Sequence, residues 1–402
     1  MRRFVPGLML LVLLIMIGYG LSPQGRAVTE AASLLVDVWS IDKAPPARGP
    51  RRRVTADYPG PGGEPRVADV YCDPATPARA RFLVVHGLVE SGKDDPRLHA
   101  LGAALARHRF LVMVPDFPGM RSLRVSPRDI DEVEAALIAL ARFDRCPPPI
   151  ARATPLETGV IGFSYSAGPV LLALDRGARA ADFAVLFGGY YDMVDLILFL
   201  TTGRHRDRGA DFGGEALPEG RWILLGANAD LFAEPADRAA LLAISRRRRA
   251  DPAAYIGDLE GSLGPRARAA LDLLTNTNPD RFDPLLARID PAIRRTIDDL
   301  SPSKSLKRPL QVDLYLMHGR SDAIVPYTET LKLAREVRTS GTVEVALLGG
   351  FRHARPAGAA ADPWWRPALA YPGDSLRLFR ILTEILERRG RKSLTDGGPD
   401  RG

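Results

Sequence analysis

Short apolar runs of strand length recur along this chain, separated by stretches with helical spacing. Residues 81–86 (RFLVVH), 110–114, 159–163, 183–187, 312–317 and 343–348 are such runs. Helical segments lie at 96–107, from about 166 onward, and at 127–142, the last opened by Ser126 and Pro127 as cap and first-turn residue. In that segment Ile130, Val133, Ala136, Leu137 and Leu140 share one side. A strand apolar throughout must be covered on both faces, so the alternation predicts βαβ units around a mostly parallel central sheet flanked by helices. Residues 67–71 add a strand ahead of these units, and 374–388 an amphipathic helix that closes them.

The pattern lapses between Asp192 and Ser301. Ala, Leu and Arg dominate there, broken by Pro218, Pro235, Pro252, Pro265, Pro279, Pro284 and Pro291, and only 222–225 reads as a short strand. The expected organisation is an α/β core over 66–192 and 302–390, with a helical cap insertion over 193–301. Residues 26–65, rich in Pro, Arg and Gly, read as a linker with a short strand at most, and 391–402 as a disordered tail.

At 402 residues and 46% hydrophobic, the chain can bury a large α/β domain plus an insertion. Its +7 net charge comes from scattered Arg without interleaved aromatics, which argues against nucleic acid as a partner. The run Arg246-Arg247-Arg248-Arg249 reads as a solvated helix face, with an anionic membrane surface as the alternative. Cys72 and Cys146 are too few for a zinc site or a disulfide framework; pairing with each other would require an oxidising compartment.

Met1-Arg2-Arg3 precedes an uncharged apolar run over 4–21, the mark of an export signal. The run exceeds the roughly 7–15 residues of a cleavable core and reaches the roughly 17 needed to span a bilayer. Gly25-Arg26-Ala27 is a poor cleavage site. Residues 1–25 are therefore expected to be a retained membrane anchor, with the domain exported to the bacterial periplasm or cell envelope; secretion after cleavage is the alternative.

The sharpest chemical signal is Gly162-Phe163-Ser164-Tyr165-Ser166-Ala167-Gly168, between a buried strand and a helix. A nucleophilic serine at such a junction needs a very tight turn, which small residues two before and two after it permit. Ser166 stands where a second glycine is usual and is itself a rival nucleophile, but the register of 160–163 favours Ser164. Asp322 follows the run 312–317 past a glycine turn, and His353 follows 343–348 past Gly349-Gly350. Side chains beyond the carboxyl ends of parallel strands converge on one rim. Ser, Asp and His in that order, each behind its own strand, are hard to obtain by accident. Asp192, behind the run 183–187, and Asp230, inside the insertion, are rival acids.

On these residues the chain resembles the α/β-hydrolase superfamily from about 66 to 389, with elbow, acid turn and histidine loop all matched. The resemblance implies an α/β-hydrolase fold in which Ser164 attacks a carbonyl, His353 takes and returns its proton, and Asp322 orients the imidazole. It also implies an oxyanion hole from the backbone amides of Tyr165 and Leu88, with His86 and His318 structural. His99, His108 and His205 have no partner pattern and read as surface residues. The implied function is a serine hydrolase cleaving a carboxylic ester, lipid-like esters included, with no cofactor and no metal. A peptidase or acyltransferase with the same triad is the alternative, as is a catalytically silent binding protein.

Overall fold

Side chains along each central strand alternate with a period of two, and both of the faces they form are buried. The computed structural model describes residues 23–39, 52–145, 156–177, 181–349 and 372–388. Its strands are β1 (Arg52–Pro59), β2 (Pro65–Cys72), β3 (Ala80–Val85), β4 (Phe110–Pro115), β5 (Thr158–Phe163), β6 (Phe183–Phe187), β7 (Arg204–Asp207), β8 (Ala210–Gly213), β9 (Asp313–Gly319) and β10 (Val343–Leu348). Eight of them form one sheet in the order β1-β2-β4-β3-β5-β6-β9-β10. β2 runs antiparallel to both β1 and β4, and the strands from β4 to β10 are parallel, as the apolar runs predict.

The helices of the core are α1 (Pro23–Trp39), α2 (Pro96–Arg107), α3 (Arg128–Arg142) and α4 (Ala167–Asp175). Leu83, Val160 and Leu186 point to the face that α3 and α4 cover. Phe82, Val112 and Phe183 point to the opposite face, under α1 and α2. There the rings of Phe110 and Phe183 sit 4.9 and 5.4 Å from that of Phe82, and Gly159 lies beneath them because a side chain would strike Phe183. α2 starts where sequence predicts, Asp95 capping the Arg97 N–H with Pro96 in the first turn. The Ser126 hydroxyl caps α3 by accepting from the Arg128 N–H, and Asp129 accepts in return from the Ser126 N–H.

The described residues of 26–65 are not a linker. α1 runs through them, with Ala31 and Leu34 buried a turn apart, and β1 pairs with β2 along its whole length. The sheet therefore begins ahead of residue 66. The short stripe of α1 is masked in sequence by the Pro, Arg and Gly around it. Arg79 holds the helix in place, bonding Glu30 at 2.8 Å and the Leu386 carbonyl at 2.7 Å.

Between β6 and β9 lie α5 (Met193–Thr202), α6 (Pro218–Ala227), α7 (Pro235–Ala250), α8 (Pro265–Thr275) and α9 (Pro291–Asp299), with shorter helical turns among them. Pro stands in the first turn of α6, α7, α8 and α9, so the prolines start helices rather than merely break them. Residues 222–225 are not a strand. They belong to α6, which buries Trp222 and Leu225 three residues apart. The insertion also holds a hairpin the sequence did not suggest, β7 with β8, whose turn residues Arg208 and Gly209 have φ of 51° and 75°. Two positive φ angles make the turn form usual for two-residue hairpins, reached here through Arg-Gly rather than the expected Asn-Gly or Asp-Gly.

After β9, α10 (Tyr327–Glu336) leads to β10, and α11 (Pro372–Glu387) closes the chain beside α1. The apolar run 4–21, the tail 391–402, Cys146 and His353 lie outside the described residues. Among the described residues no helix is long and apolar enough to cross a membrane. Cys72, buried at the end of β2, is disulfide-bonded.

Candidate active site

β5 delivers Ser164 into a turn that leads directly into α4. Ser164 has φ of 56°, a left-handed conformation that costs a residue with a Cβ roughly 1–2 kcal/mol. The neighbours make room for it. Gly162 lies so close to Leu186 that a Cβ there would meet Cδ2 at 3.1 Å. Gly87 packs against the serine itself: a methyl at that position would come within 3.2 Å of Ser164 Cβ and 3.0 Å of the Phe163 carbonyl. The turn from β3 carrying Gly87 and Leu88 is thus brought against the elbow. Tyr165 occupies the first helical turn after Ser164, where backbone N–H groups lack partners within the helix.

The two candidate serines differ sharply. Ser164 is partly exposed. Ser166 is wholly buried, and its hydroxyl accepts from the Phe163 N–H at 2.8 Å with the carbonyls of Phe163 and Val85 at 2.9 and 3.0 Å. Ser166 therefore fastens β5, β3 and the elbow together.

His86 is 1% exposed, and burial lowers its pKa. Its Nε2 accepts from the Phe117 N–H at 3.2 Å, which leaves Nδ1–H to donate to the Gly87 carbonyl at 2.8 Å. It is a neutral clasp between the ends of β3 and β4.

Asp322 stands in the turn after β9, on the same sheet edge as Ser164 with β6 between their strands. Its buried Oδ1 accepts from the amides of Ile324 and Val325 at 2.8 and 2.9 Å, and Oδ2 lies 3.5 Å from His318 Nε2. His318 is itself buried between Thr330 Oγ1 and the Val325 carbonyl, so it supports the acid turn. β10 ends at Leu348, paired with Gly319 of β9, five residues ahead of His353.

The rival acids have other work. Asp192 caps α5, accepting from the Val194 N–H and the Ser303 hydroxyl. Asp230 makes an exposed ion pair with Arg124. His108 and His205 are not surface residues. His205 is 4% exposed, bonded to Thr328 Oγ1 and packed among Phe199, Phe212 and Tyr327, and His108 lies 3.5 Å from Asp37 of α1. His99 is half-buried beside the Tyr71 hydroxyl. Of the arginine run, Arg247 pairs with Asp258, Arg248 lies over the Trp222 ring and Arg249 faces Glu219.

One pair behind the elbow was not anticipated. The buried Tyr165 hydroxyl donates to Asp129 Oδ2 at 2.7 Å and accepts from the Ser126 N–H at 3.1 Å. Burial pushes the Asp129 carboxyl up to about 6. The sequence signal was an Asp three residues after the capping serine of a helix with an apolar side. A second buried acid, Glu329 of α10, accepts from the amides of Tyr191 and Asp192 and from Lys332, tying down the loop after β6.

No family model matches the chain, and no curated protein matches it by sequence. Among solved structures it is similar to an acylaminoacyl peptidase of Pyrococcus horikoshii, at 12% identity and a TM-score of 0.46 over 85% of this chain and 42% of that one. It is also similar to lipase A of Candida antarctica, at 14% and 0.46 over 75% and 72%. An esterase of Pyrobaculum calidifontis matches at 13% and 0.43 over 95% and 98%. The chain spans less than half the length of the peptidase. Resemblances this remote assign no activity. A mostly parallel sheet interrupted by a helical insertion, with a serine elbow and an acid turn on one edge, gives the chain the α/β-hydrolase fold.

Proposed function

We propose that the protein is a serine hydrolase acting on carboxylic esters through Ser164, His353 and Asp322. The observation that supports this best is the left-handed, partly exposed Ser164 beside a wholly buried and hydrogen-bonded Ser166. In this reading Ser164 Oγ attacks the ester carbonyl while His353 accepts its proton, and the Asp322 carboxylate stabilises the imidazolium. The backbone N–H groups of Leu88 and Tyr165 receive the oxyanion. Collapse expels the alcohol with the proton from His353. Water, deprotonated by the same histidine, then releases the acid and restores the serine.

A fluorophosphonate probe should label the purified protein, and Ser164→Ala should abolish labelling. Labelling that survives this change rejects Ser164 as nucleophile, and an unlabelled folded wild type favours a silent binding protein. Hydrolysis of p-nitrophenyl butyrate but not of the matching anilide separates an esterase from a peptidase. Alcohol-dependent ester formation would reveal an acyltransferase. We further propose that residues 1–25 anchor the domain at the cell envelope, a reading supported by the basic start, the apolar run and the disulfide at Cys72. Mass spectrometry of the mature N-terminus checks it.

A further inference from the structure

The left-handed backbone at Ser164 needs restraint on both sides. Its φ of 56° costs about 1–2 kcal/mol, a cost the chain would relieve by rotating about Ser164. That rotation swings the peptide plane between Ser164 and Tyr165, and with it the direction of the Tyr165 N–H. Ahead of Ser164, the buried Ser166 hydroxyl holds the Phe163 N–H. Behind Ser164, the restraint comes through the Tyr165 side chain.

The Tyr165 hydroxyl donates to Asp129 Oδ2 at 2.7 Å, and the two oxygens share the Ser126 N–H, each at 3.1 Å. Asp129 is enclosed in turn, since a Cβ on Gly119 would meet its Oδ1 at 2.9 Å. The Tyr165 ring stacks on that of Tyr190, with centroids 6.2 Å apart and planes 17° from parallel. Tyr190 is fixed at its far end. Its hydroxyl donates to the Leu300 carbonyl at 2.9 Å and lies where a side chain on Gly168 would strike it. Tyr165 is thus held at its hydroxyl and across its ring face, and cannot follow a rotation at Ser164. Packing alone does not call for the acid. Burial raises the Asp129 pKa to about 6, a cost that a phenylalanine against an apolar neighbour would avoid. What the acid adds is a directed bond that fixes the tyrosine in one place.

We propose that Asp129 and the Tyr165 hydroxyl are positioning groups that keep the Tyr165 N–H aimed at the oxyanion. The proposal rests on the hydrolase reading above and adds what fixes one donor of the hole. Removing such a donor outright lowers kcat roughly 100- to 1000-fold, and a donor left free to tilt should forfeit part of that, about tenfold. Acylation and deacylation both pass through an oxyanion. Both therefore slow together, and KM should change by less than about twofold.

The test is p-nitrophenyl butyrate hydrolysis, expressed per active site counted by fluorophosphonate labelling carried to completion, so that misfolded protein does not enter. Tyr165→Phe and Asp129→Ala should each lower kcat per site about tenfold. The double variant should be slower than either by less than about twofold, because both changes delete one bond. Asp129→Asn keeps an acceptor and should hold kcat within about twofold of the parent. A trifluoromethyl ketone, whose adduct with Ser164 carries the oxyanion, should lose affinity in step with kcat. Tyr165→Phe carries the test alone should Asp129→Ala fail to fold. A merely structural pair would lower the melting temperature or the number of labelled sites and leave kcat per site and ketone affinity unchanged. That result overturns the proposal, as does a raised KM with kcat intact or a fully additive loss in the double variant. A folded wild type that does not label removes the hydrolase reading and the proposal with it. Normal labelling with kcat per site unchanged in the variants removes the proposal alone.

Discussion

Replacing Asp129 with Asn tests the buried pair behind the elbow. Asp129 is 2% exposed, and Oδ2 accepts from both the Tyr165 hydroxyl and the Ser126 N–H. Desolvation is the main reason its pKa rises from 3.8 to about 6, opposed by those two hydrogen bonds. The folded state thus holds this proton more tightly than the unfolded chain. Its stabilising effect is complete below about pH 3.8 and is lost as the pH rises through about 6. At neutral pH the buried charge costs about 3 kcal/mol, since each pKa unit corresponds to about 1.4 kcal/mol. An amide oxygen can accept both existing hydrogen bonds without the charge. Asp129→Asn should therefore match the parent near pH 4 and exceed it by up to about 3 kcal/mol at pH 7.5. Urea unfolding of both proteins at pH 4.5, 6 and 7.5 measures the difference, and other titrating groups cancel in the comparison. A variant weakened equally at all three pH values would refute the reasoning, because the loss would then come from geometry and not from charge.

Ser164→Gly should relieve the left-handed strain and stabilise the fold by about 1 kcal/mol while abolishing fluorophosphonate labelling; thermal unfolding and gel fluorescence read the two effects. Ser166→Ala should cost about 1–3 kcal/mol, because the Phe163 N–H loses a buried acceptor, yet Ser164 in the folded protein should still be labelled. Loss of labelling with stability intact would mean that the roles of the two serines are reversed.

The parallel strands were legible because they are largely apolar on both faces and several end in glycine turns, whereas the polar, largely exposed β1 was not. The positions of Ser164 and Asp322 at strand ends followed from the same rule. What escaped was set by tertiary context. α1 shows only a short apolar stripe, and its place depends on Arg79 and α11, far along the chain. Residues 222–225 look like a strand until Pro218 is seen to start a helix. His205 has no sequence partner because Thr328 and Tyr327 come from another element. The spacing of Asp129 from the capping Ser126 can be read in sequence, but its pairing with Tyr165 cannot, since the two lie on different elements and only packing brings them together.

The contacts of Arg79 set a condition on when the protein can be completed during synthesis. Its guanidinium bonds both Glu30 of α1 and the carbonyl of Leu386 at the end of α11. At synthesis rates of about 5–20 residues per second, roughly 20 to 70 seconds pass between the making of those two partners. Once Arg79 itself is made, 49 residues after Glu30, the face of the sheet beneath α11 lacks its last cover and Arg79 has only half its anchorage until α11 follows. Helper proteins that shield nascent apolar surface would find their longest opportunity there, and a ribosome stalled in the final helix would leave the same face open.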